Sequence, residues 1–571
     1  MVKFKTFRNN VLEEYRNVLI AKNFNLVKIL SYGELWHGNI NIRNKENIEV
    51  SNEVCILFTN KFPYEYPEVY ALSDEKFIKS SRHQNGRFLC LWNEGEWDTY
   101  MSPNNFYQRI ENWFEHSFNN NWENKDRKAD LDRHFHSNHI LAINDEEWQD
   151  FDFNSAYGYY KYTKLKFKDY IQGVYIYNPQ NGTTNNGLYV TPSNEFIPCN
   201  NKMLKEFHYF EQNNQNVYNG IWFYCKEEIK PCETFEELKK QIFSLCELSI
   251  EIINDEFMKL FQTNNDNIML SIIYKDCDDI SQWIHFDYNK KEDILATFKT
   301  CKCDKNSLSL RISHLKTKLQ DKKIAIFGIG AIGSFVASSL GRHGFNEIKL
   351  IDYDLLEPQN IIRHSLSACF VGIKKAYAMS QMINNFSLGS TSAKSFSEYR
   401  YEISDYEDMI KDVDIVVDCT ANKNFSLLLN HICIKNNKLA IYITSLKKAS
   451  IGKIIVVRPK IDPCLCCYQG HNGIIDNYKT FDYPYIYQDN DDEINLGCGD
   501  TTYPAVSSDI EMIAVWGVKI ILWVLQNKFN HNFCLIVNDI QDKEDVNPIF
   551  NTIGHTFKTF KKMEGCEICA K

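Results

Sequence analysis

The chain has 571 residues, of which 44% are hydrophobic, and a formal net charge of −10 at pH 7. A globular chain of this length exceeds one hydrophobic core, so about two to four domains are expected. The acidic balance gives no reason to expect nucleic-acid binding. The polar opening MVKFKTFRNN shows no targeting signal. The longest apolar stretch, IEMIAVWGVKIILWVLQ, contains two charges and predicts a buried helix rather than a membrane span.

The nineteen cysteines are the next informative feature of the composition. Their number is odd, and they are scattered through a long chain without secretory features. This usage indicates a reducing, cytoplasmic protein in which cysteines serve as core residues, metal ligands or nucleophiles.

The first 145 residues predict an α+β domain. TFRNNVLEEYRNVLIAK has the apolar spacing of an amphipathic helix, and the runs NLVKILSYG, WHGNINIR and NIEVSNEVCILFTN predict an antiparallel meander. A Tyr-Pro segment, the run HQNGRFLCL with Cys90, a Trp-to-Ser-Pro segment and a helix from Pro103 follow. A thiol is a competent nucleophile near neutral pH. Cys90 is therefore a candidate nucleophile, although buried core cysteines are common.

This order of elements resembles ubiquitin-conjugating enzymes. The resemblance implies that Cys90 is the cysteine that carries a thioester. The family has His-Pro-Asn well before this cysteine, whereas here His83, Gln84 and Asn85 stand closer to it. The donor that stabilises the oxyanion is therefore left open between Asn85, another group, or none.

The middle of the chain, residues 146–307, predicts an α+β connector domain. Residues 120–150 are polar and charged and predict an exposed helical or linker segment. Beyond them, several strand-like runs surround TFEELKKQIFSLCELSIEII, which predicts one helix capped by Thr234. We identify no site here, and the connector is expected to set the spacing of the other domains or to hold a dimer.

A strand, a glycine turn, a helix and a second strand follow from Lys322. KIAIFGI is an apolar run of buried-strand length, and Gly328, Gly330 and Gly333 form G-x-G-x-x-G at its end. The helix after such a turn presents free N–H groups to a phosphate. Asp352 ends the second strand, where an acid binds a ribose hydroxyl. The motif alone fits NAD, FAD or ATP.

The residues after Asp352 decide between these nucleotides. Asn360, Arg363, Lys375 and Asp418 follow in LLEPQNIIRHSL, VGIKKA and DIVVDCTAN. A dehydrogenase has no need of this set, whereas an enzyme that adenylates a carboxylate does. Arginine and lysine neutralise the triphosphate and the charge developing at the α-phosphorus, and an aspartate holds Mg²⁺.

These motifs closely resemble the adenylation domain of ubiquitin-activating enzymes and of their bacterial relatives in the ThiF superfamily. Those enzymes join AMP to the C-terminal glycine of a small β-grasp protein. The resemblance implies a Rossmann-like domain over residues 308–571 that uses ATP and Mg²⁺. It implies a nucleotide site made of Gly328, Gly330, Gly333, Asp352, Asp354, Asn360, Arg363, Lys375 and Asp418. Arg311 lies near a family arginine that reaches ATP, but a surface arginine is the favoured interpretation.

Two C-x-x-C pairs, Cys464 with Cys467 and Cys566 with Cys569, supply four thiolates for a tetrahedral structural Zn²⁺. Between them, Cys498 stands between two glycines in a polar segment. The resemblance implies that Cys498 forms the first thioester, because activating enzymes carry their cysteine on a crossover loop in this region. A glycine turn that includes a cysteine by chance is the alternative.

The order of the three domains resembles the fused activating–conjugating enzymes of bacterial anti-phage operons that encode a cGAS-like nucleotidyltransferase. The resemblance implies a homodimer that activates the C-terminus of the nucleotidyltransferase, passes it to Cys498 and Cys90, and joins it to a target amine. Two alternatives stay open: an adenylyltransferase for a ubiquitin-like or sulfur-carrier protein, and a binding scaffold without turnover. Exchange between ATP and pyrophosphate separates the enzymes from the scaffold.

Overall fold

The computed structural model covers most of the chain. It describes residues 2–43, 47–72, 84–85, 87–92, 97–119, 135, 137–145, 148, 151, 153–167, 170–181, 217–227, 229–230, 232–263, 267–275, 281–303, 319–387, 390–400, 402–446, 448–469, 494–497, 500–502, 504–538, 553–566 and 568–569. The chain divides into two compact units, and the boundary between their described residues falls between Lys302 and Cys303.

The first unit begins with a helix, a meander and a second helix, in the order that the sequence predicts. The helices are Val2–Ala21 and Pro103–Asn119, and the strands are β1 Asn25–Leu30, β2 Gly33–Arg43, β3 Glu49–Thr59, β4 Glu68–Ala71, β5 Gln84–Asn85 and β6 Phe88–Leu89. The sheet is antiparallel, with the order β1-β2-β3-β4-β6-β5. Tyr15, Phe58 and Phe62 pack edge to face in its core. The relation to ubiquitin-conjugating enzymes stays a prediction.

Seven further strands of this unit form a closed barrel. They are β7 Ser137–Asp145, β8 Tyr157–Phe167, β9 Tyr170–Asn181, β10 Val217–Tyr224, β11 Asn267–Lys275, β12 Ser281–Asn289 and β13 Ile294–Cys303. The prediction of an exposed helical or linker segment over residues 120–150 is wrong for β7, which pairs in parallel with β9. Ala142 and Asn144 of β7 are buried, because one face of the strand lies against the core of the barrel.

The single helix predicted after Thr234 is two helices, Phe235–Leu245 and Ile250–Thr263. The Thr234 side chain caps the first helix as predicted, accepting from the Glu237 N–H at 3.2 Å. The helix ends because Glu247 has a positive φ of 54°, a left-handed conformation that a right-handed helix cannot continue. Ser249 Oγ accepts from the Ile252 N–H at 3.3 Å and starts the second helix.

The second unit is built on an eight-stranded sheet of order β16-β15-β14-β17-β18-β19-β22-β23. Its strands are β14 Lys323–Phe327, β15 Glu347–Ile351, β16 Ser392–Phe396, β17 Ile415–Asp418, β18 Leu439–Leu446, β19 Ile451–Val457, β22 Phe533–Val537 and β23 Gly554–Lys558, while β20 Ile494–Gly497 and β21 Asp500–Thr502 pair separately. The first five strands in this order are parallel, and the remaining pairs are antiparallel.

Helices cover both faces of this sheet, as expected for a Rossmann-like fold. The α-helices are Ala331–Gly341, Lys375–Ser387, Ile403–Ile410, Lys423–Lys435, Leu465–Gln469 and Ser507–Leu525, and short 3₁₀ helices occupy Pro358–Arg363 and Ala368–Phe370. One core packs under Ser507–Leu525 and a second under Lys423–Lys435. The long apolar stretch therefore forms a helix as predicted, and the prediction of burial is confirmed for its core-facing side, whereas Met512 and Val515 are exposed. Among the residues that the structure covers, no helix combines the length and apolar character needed to cross a membrane.

Candidate active site

The glycine turn follows β14 and requires glycine at two of its three positions. Gly328 has a φ of +80°, and a Cβ there would lie 2.8 Å from the Thr420 backbone. A Cβ on Gly333 would lie 1.9 Å from the Gly328 carbonyl oxygen, so any side chain would push the helix off the strand. At Gly330 a Cβ would meet no atom within 4 Å. The turn is therefore tight on its inner side and open at Gly330, which suits the close approach of a phosphate.

Asp352 directly follows β15 and braces this turn from the neighbouring strand. Its Oδ2 accepts from the Ile329 N–H at 2.6 Å, and its Oδ1 accepts from the Asp354 N–H at 2.9 Å. Burial raises the pKa of the Asp352 carboxyl above its ordinary value. The structure thus places Asp352 beside the turn, and its contact with a ribose stays a prediction.

The polar residues after Asp352 are held by local bonds. Lys375 Nζ lies 3.1 Å from Asp354 Oδ2, and the Lys375 N–H donates to the Asp354 carbonyl at 2.9 Å. The Asn360 side-chain oxygen accepts from the Glu357 N–H at 3.0 Å and caps a short 3₁₀ helix. Arg363 is the last residue of that helix and is partly buried. Asn360 therefore shapes the segment that carries Arg363.

Asp418 ends β17 directly opposite Phe327, the last residue of β14. Its side chain is buried and accepts from the Thr420 N–H at 2.9 Å, from Thr420 Oγ1 at 2.7 Å and from Ser426 Oγ. Burial raises the pKa of the Asp418 carboxyl. Because β15, β14 and β17 are neighbouring parallel strands, Asp352, the glycine turn and Asp418 meet at one edge of the sheet.

His364 also belongs to this edge, although the sequence analysis did not select it. Its Nε2 donates to the Ile329 carbonyl at 2.8 Å, and its Nδ1 accepts from the Leu366 N–H at 3.1 Å. Burial lowers the pKa of His364 to about 4, so the ring is neutral near pH 7. Ser365 Oγ donates to the Ser334 carbonyl at 3.0 Å. The sequence shows a histidine and a serine directly after Arg363. It does not show their role, because both bond to main-chain atoms, and no sequence motif records such bonds.

Comparison with known protein families identifies this region. The ThiF family model matches residues 306–541. This part of the chain is a ThiF-family domain. The match includes the glycine turn, Asp352, Lys375 and Asp418, and it leaves the barrel and the N-terminal sheet outside.

Relatives of the ThiF-family domain include activating enzymes. Over 208 residues the chain is 27% identical to the ATP-dependent ubiquitin transferase-like protein Cap2 of Enterobacter hormaechei, covering 36% of this chain and 33% of Cap2. Over 160 residues it is 27% identical to ubiquitin-like modifier-activating enzyme 5 of Drosophila mojavensis, covering 26% of this chain and 40% of that protein. The matches thus span only about a third to two-fifths of each relative.

Solved structures also resemble this chain. A crystal structure of E. coli MccB with ATP aligns at 18% sequence identity and a TM-score of 0.34, covering 47% of this chain and 72% of MccB.

We call the sheet edge that carries Asp352, the glycine turn and Asp418 the active-site edge. A recess of about 400 Å³ lies next to this edge, on the side of Asp352 away from the glycine turn. It lies at the end of β16, and its lining includes Lys374, Tyr377, Phe396 and Arg400. Arg400 Nε and the hydroxyl of Ser397, another lining residue, are buried and have no hydrogen-bond partner within the described part of the chain. The recess therefore combines aromatic walls with unused polar atoms one strand away from Asp352.

The two predicted cysteine pairs meet in the second unit, where Cys464 and Cys467 belong to the ThiF-family domain and Cys566 and Cys569 follow it in sequence. The Sγ atoms of Cys464, Cys467, Cys566 and Cys569 all lie within 4.8 Å of one another, and all four residues are buried. Cys464 Sγ lies 3.8 Å from Cys566 Sγ, and Cys467 Sγ lies 3.4 Å from Cys569 Sγ. A tetrahedral Zn²⁺ with bonds of about 2.3 Å separates its sulfur ligands by about 3.8 Å. The four thiols therefore fit a metal ion.

Of the two cysteines predicted to carry the acyl group, the structure describes Cys90 but not Cys498. Cys90 directly follows β6 and is partly buried. Asn85 lies in β5, opposite Phe88, within the same small hairpin. Cys498 and Arg311 lie outside the described residues. The structure therefore does not bring Cys90 and Cys498 together or separate them, and both roles stay predictions.

Proposed function

We propose that the ThiF-family domain binds ATP with Mg²⁺ and adenylates the C-terminal carboxylate of a protein. One observation carries this proposal: three adjacent strand ends bring the glycine turn, Asp352 and Asp418 to a single edge. Ligands of open α/β sheets bind at the carboxyl ends of the strands. The relatives support the reaction class, since Cap2 is called an ATP-dependent ubiquitin transferase-like protein and enzyme 5 a ubiquitin-like modifier-activating enzyme.

Each residue has a role in this reaction. The carboxylate oxygen attacks the α-phosphorus, the bond to the β-phosphate oxygen breaks, and pyrophosphate leaves with the electron pair. The turn N–H groups bind phosphate oxygens, and Lys375 and Arg363 balance the charge that develops there. Asp418 is the carboxylate available to hold Mg²⁺, which would screen the triphosphate. The recess at β16 accommodates the base, while Asp352 accepts from the ribose.

Transfer follows adenylation in this proposal. The Cys498 thiolate attacks the acyl adenylate and releases AMP, and the acyl group passes to Cys90 and then to a lysine amine on a target. A cGAS-like nucleotidyltransferase of an anti-phage operon is the proposed acyl donor, and the enzyme is proposed to be a cytoplasmic homodimer. The support is the order of motifs along the chain together with the likeness of the ThiF-family domain to Cap2.

The test is to trap the acyl group. Cys90→Lys is expressed in the native host with its neighbouring genes, denatured, reduced and weighed as an intact protein. A lysine converts a short-lived thioester into a stable amide, so a mass increment that survives reduction is expected. The increment should disappear when Cys498→Ala or Asp418→Asn is added. Cys55→Lys, a partly buried cysteine of the same sheet, is the matched control and should gain no mass.

Other outcomes of the trap have defined meanings. If Cys90→Lys stays unmodified while ATP–pyrophosphate exchange with a host protein proceeds, the chain is an adenylyltransferase without the second transfer. If neither occurs and a partner still binds tightly, the chain is a scaffold.

The cysteine cluster is proposed to hold a structural Zn²⁺ that ties the last described residues to the ThiF-family domain. We expect about one zinc per chain by elemental mass spectrometry and a lower melting temperature after removal by a chelator. Cys466, inside the first pair but outside the cluster of four, provides the control: Cys466→Ser should retain the metal that Cys464→Ser loses.

A further inference from the structure

In the proposed binding mode, ATP covers only part of the active-site edge, and the rest is open to the second substrate, the protein carboxylate. The recess lies at β16, Asp352 at β15, the glycine turn at β14 and Asp418 at β17. ATP bound across these strands occupies them in that order. The edge continues to β18 and β19, which form an antiparallel hairpin. The carboxylate that attacks the α-phosphorus therefore approaches from β18 and β19.

Two polar side chains meet on that hairpin. Thr444 of β18 stands directly opposite Lys453 of β19. Ile451 and Ile455, at alternate positions on either side of Lys453, pack in the core under the helix Lys423–Lys435. Because alternate residues of a strand share a face, the Lys453 side chain points to that same face. Asp418 points there too, since it is bonded to a serine of that helix.

Neither side chain has a hydrogen-bond partner among the residues that the structure describes. Thr444 Oγ1 is buried without a hydrogen bond, and so is the hydroxyl of Tyr442, which stands opposite Asp418. Lys453 is partly buried, and within the described part of the chain its ammonium makes neither an ion pair nor a hydrogen bond. Buried polar groups are normally paired, so unused donors on one face point to a ligand.

The positive charge around Lys453 and Thr444, the corner formed by the β18–β19 hairpin, indicates an anionic ligand. Burial, followed by the repulsion of nearby Lys423, lowers the pKa of Lys453. Lys423 is an exposed residue at the start of the covering helix. Two cations and a free hydroxyl favour an anion with acceptor oxygens. Lys453 lies two strands away from Asp418 and two residues along the strand, which puts their Cα atoms about 12 Å apart. An extended lysine side chain spans roughly half of that distance.

We propose that the Lys453 ammonium and the Thr444 hydroxyl bind the C-terminal carboxylate of the acyl substrate as it enters the active-site edge. The inference rests on the proposed function and names the residues that capture its second substrate. Lys453 acts in binding: it lowers the KM for the carboxylate-bearing protein, while the phosphates stay with the glycine turn, Arg363 and Lys375.

The first test uses a small probe and needs no turnover. The full chain is treated with formaldehyde and cyanoborohydride, and methylation of Lys453 is followed by peptide mass spectrometry. N-acetylglycylglycine is expected to slow this labelling severalfold, whereas its C-terminal amide is not. Labelling of Lys460, an exposed lysine just beyond β19, should not change with either compound.

Three results of that test would overturn the proposal. Equal protection by the acid and the amide would show that the carboxylate is not what Lys453 binds. Protection by Mg-ATP alone would make this corner a phosphate site. Failure of Lys453 to label at all, or to respond to the acid, would show that no carboxylate reaches it.

The second test measures exchange with the partner that the trapping experiment identifies. Lys453→Met should raise the KM for that partner by about ten- to hundredfold, which corresponds to the loss of a charge-assisted hydrogen bond. The KM for ATP should stay within about twofold, Lys453→Arg should restore part of the loss, and Lys423→Met should have a smaller effect. An unchanged partner KM in Lys453→Met contradicts the inference. If the wild-type chain exchanges with no partner, the proposed function fails, and the labelling result still decides the carboxylate site.

Discussion

Two regions of the molecule bury a neutral histidine between hydrogen-bonding partners. In the barrel, His285 Nδ1 lies 2.6 Å from Ser271 Oγ, and its Nε2 lies 2.7 Å from Asn144 Oδ1. The amide oxygen of Asn144 can only accept, so Nε2 carries the hydrogen and Nδ1 accepts from the serine. Ser271 Oγ also lies 2.9 Å from the Tyr160 hydroxyl, which then donates to it. These distances are those of a nucleophilic triad. In the ThiF-family domain, His364 has the same pattern, but both its partners are main-chain groups.

The two histidines differ in whether a substrate can reach the groups that they bond. Ser271, His285 and Asn144 are each at most 1% exposed inside a closed barrel, so no substrate reaches the serine, and the network serves to fill the core. His364 is also buried, yet it holds the carbonyl of Ile329 at the second residue of the glycine turn. A hydrogen-bonded serine and histidine therefore indicate catalysis only where solvent and substrate can enter. Four comparisons test this contrast.

The largest expected effect is at Asp418. Asp418→Asn should lower ATP–pyrophosphate exchange by at least about 100-fold, because it removes the charge that is proposed to hold Mg²⁺. Ser271→Ala, the matching change in the barrel, should leave exchange per folded molecule within about twofold. An equal loss in Ser271→Ala would make the barrel network catalytic and end the contrast.

The second comparison uses two crowded glycines. Gly333→Ala places a Cβ 1.9 Å from the Gly328 carbonyl oxygen, and Gly220→Ala places one 2.2 Å from the Tyr160 ring. Gly333→Ala should raise the KM for ATP and reduce exchange more than about tenfold, because the helix start shifts away from the phosphates. Gly220→Ala should lower the free energy of unfolding by about 1–3 kcal/mol with exchange preserved. A change of ATP binding in Gly220→Ala would contradict the separation.

The histidines themselves give the third comparison. His364→Ala should weaken ATP binding about tenfold, since the turn loses one hydrogen bond of about 1 kcal/mol and gains freedom. His285→Ala removes the partner of the Asn144 amide oxygen and one of the two partners of the Ser271 hydroxyl, and it should cost about 2–4 kcal/mol of unfolding free energy. Calorimetric ATP titration and chemical denaturation of both variants measure the two effects. The contrast fails if His285→Ala alters ATP affinity while His364→Ala does not.

Near neutral pH the smallest effect is the pH dependence of stability, which grows only as the pH falls below about 6.5. Burial lowers the pKa of His285 to about 3 and that of His364 to about 4. An unfolded histidine takes up a proton near pH 6.5, so between pH 6.5 and these values the unfolded chain binds more protons. Stability is therefore fully present above pH 6.5 and is lost as pH falls, by up to about 5 kcal/mol for His285 once the pH is below its folded-state pKa. His285→Phe should flatten the decline of the melting temperature, and His431→Phe, at an exposed histidine, should not.

The sequence predicts which strand ends meet in the second unit well and the barrel poorly, for physical reasons. Gly328, Asp352 and Asp418 each follow a short apolar run, and the ends of parallel strands meet by geometry alone. The barrel depends on pairings such as β7 with β9, which join distant residues that no local pattern connects. Thr444 and Lys453 are brought side by side only by the register of the β18–β19 hairpin, which no sequence pattern specifies. The role of His364 rests on main-chain atoms, which every residue possesses and no motif reports.

The paired cysteines have one more consequence. Cys464 and Cys566 are separated by 102 positions, and so are Cys467 and Cys569, yet their sulfur atoms share one cluster. With the proposed Zn²⁺ bound, a protease cut between the two pairs would leave both fragments attached to the same ion. Such a nicked chain would migrate as one species on a native gel and as two after chelation. During synthesis, the proposed site would be incomplete until the second pair has left the ribosome, about a hundred residues after Cys464.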